Sequence, residues 1–138
     1  MSLSKIPELM EDPRTIFVFD IDGVLFPYEA GIYSFGLNEA EWVNMMKSRN
    51  VYAEFRPFKT MQKFMKEHNN KYYVCSRVCC EEEILQKREA LVKHYPLIPE
   101  KNMYFVESNL VKKDILHRIR LENPRLDTKY RGVIRYHE

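Results

Sequence analysis

The chain has 138 residues, 45% of them hydrophobic and 30% charged, enough for one buried core, and no apolar run nears the roughly 20 residues that cross a bilayer. Its 22 basic and 20 acidic residues lie scattered and leave a net charge of +2, so neither a nucleic acid polymer nor a membrane surface is an expected partner. Cys75, Cys79 and Cys80 fit neither an even disulfide framework nor a zinc spacing, and no secretory signal precedes them, so the expectation is a soluble, cytoplasmic protein with reduced thiols.

The first predicted element is a strand at 16–19, an unbroken Ile-Phe-Val-Phe run of the kind that sheets covered on both faces use. It leads into Asp20-Ile21-Asp22-Gly23-Val24-Leu25. A strand period of two points Asp20 and Asp22 to one side, and Gly23 lets the chain turn away. The end of a strand is where open α/β sheets hold ligands. Two carboxylates this close repel unless they share a cation, and hard oxygen ligands favour Mg2+. The alternative use of the pair is local, as caps of a turn.

Segment 26–55 breaks the pattern with Gly31, Gly36 and a helix opening at Asn38, where Glu41 stands at capping-box distance. It reads as a small insertion over the site within a single domain spanning 1–138. Its aromatic residues Tyr28, Tyr33, Phe35 and Trp42 suit packing onto the domain, or stacking on a flat substrate group. Glu29 and Arg56 are candidates for substrate choice by position alone. A helix follows Arg56, with Pro57 in its first turn and Phe58, Met61, Phe64 and Met65 on one face. Next come a strand at 72–75 and a helix from about 81 to 94. Three acidic residues open that helix, and Ile84, Leu85, Leu91 and Val92 are expected to face inward. A strand at 103–106 precedes a helix from near Leu110 that carries Val111, Ile115 and Ile119 until Asn123-Pro124 stops it. A fourth strand is expected at 133–136. The alternation predicts an α/β fold, a Rossmann-like parallel sheet flanked by helices with right-handed crossovers.

The run from Phe17 to Leu25 resembles the first motif of the haloacid dehalogenase-like (HAD) hydrolase superfamily, an apolar strand followed by Asp-x-Asp-Gly-Thr/Val-Leu. The resemblance implies that Asp20 attacks phosphorus and ligates Mg2+. It implies that Asp22 protonates the leaving oxygen, later deprotonates water, and offers its main-chain carbonyl to the metal. The residue types suit the task, because a carboxylate nucleophile splits one hard displacement into two and a second carboxyl assists the leaving group. Members that cleave carbon–halogen bonds lack the second Asp, so a phosphoester is the implied substrate.

The superfamily's second motif is similar to Tyr72-Tyr73-Val74-Cys75-Ser76, which implies that Ser76, with Arg77 following, binds the phosphoryl group. Its third is similar to 111–116, implying a phosphate-binding role for Lys112, with Lys113 as the alternative. The fourth motif is a pair of acids after the last core strand. This chain has His137-Glu138 there, and Glu138 is the candidate metal ligand beside Asp20 and Asp22. Three explanations stand open: an unusual His-Glu motif, a chain shortened relative to a longer protein, or weakened activity.

The implied function is a Mg2+-dependent phosphatase acting on a small phosphorylated metabolite through an aspartyl-phosphate. The Cys75-Ser76-Arg77 segment and the short insertion are similar to the deoxyribonucleotidase branch, which points to nucleotides. The alternatives are a weakened or inactive HAD-like binding module, and a phosphoacceptor switch domain in which Asp20 is phosphorylated without turnover.

Overall fold

Ile16–Phe19, buried along its whole length, forms strand β1 in the computed structural model of the chain, which describes residues 8, 11–27 and 36–123. Helix α1 (Glu39–Ser48), a 3₁₀ turn (Tyr52–Glu54) and helix α2 (Lys59–Glu67) lead to β2 (Lys71–Arg77). Helix α3 (Glu81–His94), β3 (Met103–Val106) and helix α4 (Asn109–Glu122) complete the described order. The three strands are parallel, in the order β1-β2-β3. Phe19 pairs with Val74, and Arg77 with Val106, so the chain leaves β1 and β2 along the same edge of the sheet.

The pleat explains why the apolar runs are unbroken. Phe17, Phe19, Tyr72, Val74 and Met103 face a core shared with Met61 and Met65 of α2 and Ala90 and Leu91 of α3. Ile16, Val18, Tyr73, Cys75 and Val106 face the other way, onto Val111, Ile115, Leu116 and Ile119 of α4. Helices on both faces leave no solvated side for polar alternation. Phe17, Phe19 and Tyr72 stack on one another at centroid separations of 5.8 to 6.1 Å.

The capping box at α1 forms as expected, with the Asn38 side chain accepting from the Glu41 amide and the Glu41 side chain from the Asn38 amide. Two helix expectations are corrected. α2 begins at Lys59 with Phe58 as its N-cap, so Pro57 and Phe58 precede the helix; the Phe58 amide instead donates to the Leu25 carbonyl. On α3, Leu85 and Val92 are 58% and 47% exposed, while Glu83, Gln86, Lys87, Ala90 and Leu91 are buried. The apolar pattern misplaced that face because the helix's inner surface carries polar groups with buried partners.

The described part of the insertion shares the main core. Met46, Val51, Tyr52 and Phe55 belong to the same buried cluster as β1. Gln86 joins it to α3, its side-chain nitrogen donating to the carbonyls of Met46 and Arg49 and its oxygen accepting from the amides of Val51 and Tyr52. All four hydrogen-bonding positions of the amide are thereby used. Tyr28, Glu29, Tyr33, Phe35, the strand expected at 133–136, His137 and Glu138 lie outside the described residues. Among the described residues no helix is long and apolar enough to cross a membrane.

Candidate functional site

Asp20 follows the last residue of β1, and the turn behind it is more than a surface loop. Gly23 adopts a φ of +76°, in the left-handed region that glycine enters without cost. Its amide donates to the Phe26 carbonyl, and the amides of Leu25 and Phe26 donate back to the Ile21 carbonyl. Ile21, Val24, Leu25 and Phe26 are all buried. The apolar residues of the motif therefore anchor the turn in the core, and the two aspartates are left at its solvent-facing rim, both partly exposed.

Each aspartate meets a lysine. Lys112, in the first turn of α4, contacts Asp20 Oδ1; the side chains are 14% and 22% exposed. Ser108 caps that turn by accepting from the Val111 amide, which sets where Lys112 emerges. Lys113 is exposed, so of the two lysines left open by the sequence it is Lys112 that reaches the site.

Asp22 is held from two sides. The Tyr52 hydroxyl donates to Asp22 Oδ1 over 2.7 Å, and Lys87 Nζ lies 3.4 Å from Asp22 Oδ2. Burial first, and then the neighbouring Asp22 charge, push the Tyr52 phenol far above its ordinary value, so it remains a donor at every working pH.

Lys87 is the centre of the arrangement. Its side chain is wholly buried, donating to Ser76 Oγ at 3.0 Å and to the Arg77 carbonyl at 3.1 Å, with Glu83 Oε2 at 2.7 Å. Its ammonium also sits 5.5 Å from the centre of the Tyr52 ring. Glu83 uses its other oxygen to accept from the Trp42 indole and from the Cys79 amide, both at 2.9 Å. The side chain of Arg77 is exposed, and the site uses its carbonyl.

No family model, curated protein or solved structure matches the chain.

The sequence-predicted residues Asp20 and Lys112 are brought together, and Asp22 and Ser76 are joined through Lys87. Tyr52, Glu83 and Lys87 were not foreseen. A signal for the last two exists in the line 83, 87, 91: residues four apart share a helix face, and Leu91 is fully buried. Anchoring α3 on that line instead of on Leu85 and Val92 places an acid and a lysine inside.

Among the described residues no three His, Cys, Asp or Glu side chains gather as a metal-binding cluster. The Asp20 and Asp22 pair is nevertheless a donor set that Mg2+ accepts, because that ion takes one or two carboxylates and completes its shell with water and phosphate oxygens. The cysteines stay in the background. Burial pushes the Cys75 thiol up to about 11, and burial with the Glu83 charge also raises Cys79, so neither is set up as a thiolate nucleophile.

Proposed function

We propose that this chain is a phosphohydrolase of the HAD type, dependent on Mg2+ and acting on a small phosphorylated metabolite, nucleotides included. The observation that carries the reading is the pairing of two strand-end carboxylates with two lysines, Asp20 with Lys112 and Asp22 with Lys87. Phosphoryl transfer asks a protein chiefly for positioning and for charge stabilisation, and this cluster offers both.

In this reading Asp20 attacks phosphorus and carries the phosphoryl group as an aspartyl-phosphate, while the leaving oxygen departs with a proton from Asp22. Asp22 then takes a proton from the water that frees Asp20. Lys112 offsets charge on Asp20 and on the transferred oxygens, and Ser76 donates its hydroxyl to one of them. Asp20 through its carboxylate and Asp22 through its main-chain carbonyl would hold a Mg2+ ion, which would supply further neutralisation of phosphoryl charge.

Hydrolysis of a generic phosphomonoester, assayed with Mg2+ and with chelator, tests the activity. Asp20→Asn is expected to abolish turnover and any covalent phosphoenzyme, as read by mass spectrometry after acid quench. Asp22→Asn is expected to slow turnover by about 10²–10⁴-fold, the usual contribution of general acid–base help. Undiminished activity in Asp20→Asn protein would refute the nucleophile assignment. A folded wild-type chain that binds phosphate with no metal-dependent turnover is the binding module instead.

A further inference from the structure

Lys87 and Glu83 form an ion pair whose side chains are 0% and 4% exposed. Such a pair is an expensive way to stabilise a fold. Removing two charges from water is costly, and apolar residues of like volume often serve stability as well or better. The partners of the pair are therefore informative, and two of them, Ser76 and Asp22, belong to the site proposed for phosphoryl transfer.

An ammonium has three protons and no acceptor. Lys87 has Glu83 Oε2, Ser76 Oγ and the Arg77 carbonyl within 2.7 to 3.1 Å, which accounts for all three. Ser76 thus receives a hydrogen bond on its oxygen, and the one role left to its hydroxyl proton is to donate. That hydroxyl contacts the Arg77 carbonyl at 3.4 Å, a long contact that a phosphoryl oxygen would readily replace.

We propose that Lys87 is a positioning residue that fixes Ser76, itself only 4% exposed, as a hydrogen-bond donor to the phosphoryl group, and that Glu83 holds Lys87 in that place. This rests on the phosphohydrolase reading of the site. Lys87 is wholly buried and acts on the phosphoryl group through the Ser76 hydroxyl. Glu83 is itself tied to Trp42 and to the Cys79 amide, so the Lys87 ammonium has little freedom to turn away.

The test compares wild type, Lys87→Met, and the charge-balanced Glu83→Gln/Lys87→Met pair, which keeps the fold accessible if the single change leaves Glu83 buried without its partner. Each is made with Ser76 and again with Ser76→Ala. Folding is checked by thermal melting, then kcat/KM for a phosphomonoester and binding of orthovanadate with Mg2+ are measured. The charge-balanced variant is expected to fold and to lose at least tenfold in both measurements with Ser76 present. In the Ser76→Ala background the same change is expected to cost less than threefold, because Lys87 then has no hydroxyl to orient. A merely structural lysine would give equal losses in both backgrounds. Equal losses, or a charge-balanced variant within threefold of wild type, overturn the proposal while the phosphohydrolase reading stands. Wild-type protein without metal-dependent turnover or orthovanadate binding overturns both.

Discussion

Tyr52 reaches Asp22 from 30 residues further along the chain, and its hydroxyl is the shortest described hydrogen bond to that carboxylate. A hydrogen bond to a charged group is worth about 1.5–3 kcal/mol, so Tyr52→Phe is expected to lower kcat by roughly 10–100-fold with KM little changed. An unchanged kcat would mean that the bond does not steer Asp22. Cys75 offers a second check at this scale. Its folded thiol is pushed up to about 11 from an ordinary 9.0 by burial, so the native state holds the proton more tightly than the unfolded chain does. The stabilisation this provides is fully present below pH 9 and is lost as pH rises to about 11. Urea midpoints across that range are expected to fall more steeply for wild type than for Cys75→Val. Matching slopes would show that the thiol is not the titrating group. Asp20 and Asp22 were legible as residues because their motif is local, whereas Tyr52 was not, since nothing in its own neighbourhood marks a hydroxyl that is used at a distant strand end.

At the scale of elements, β1 and β3 are found at the residues the apolar runs indicate, and β2 extends beyond its run to Lys71 and Arg77. Runs buried on both faces leave little ambiguity about where a strand lies. Helix α3 shows the opposite case. Its limits, Glu81–His94, follow from the acidic first turn and the basic last turn, yet its orientation does not follow from its apolar residues. Leu85 and Val92 lie outward, and the inner face is set by Gln86 gripping the backbone of 46–52 and by Lys87 at the site. Leu91→Ala is expected to destabilise the fold by about 2–5 kcal/mol in chemical denaturation, the usual cost of emptying a core leucine site. Leu85→Lys should stay within about 0.5 kcal/mol of wild type, as exposed substitutions do. A larger loss for Leu85→Lys than for Leu91→Ala would reverse the assigned face.

At the scale of the molecule, the described part of the insertion and the sheet share one buried core. Trp42 is the sole tryptophan and lies on α1; its indole is tied to Glu83 on α3, and its ring meets Tyr52 edge-on at 6.5 Å. Fluorescence of Trp42 therefore reports on the insertion while far-ultraviolet circular dichroism reports on the whole. The two are expected to trace a single coincident transition in urea, as for a domain with one shared core. A fluorescence change preceding the loss of secondary structure would show that the insertion unfolds separately.

Local sequence was enough for the three described parallel strands, the limits of α3 and the place of the two aspartates at the end of β1, because each depends on neighbours within a few positions: an apolar run, a charged first turn, a glycine free to turn. Tertiary packing was needed to choose Lys112 over Lys113 as the lysine at Asp20, and to bring Tyr52 and Lys87 to Asp22. Those pairings join side chains on separate elements, and a buried charge is stable only where the packed chain delivers partners to all its protons. Lys87 reads as one more helical lysine until Glu83, Ser76 and the Arg77 carbonyl close around it.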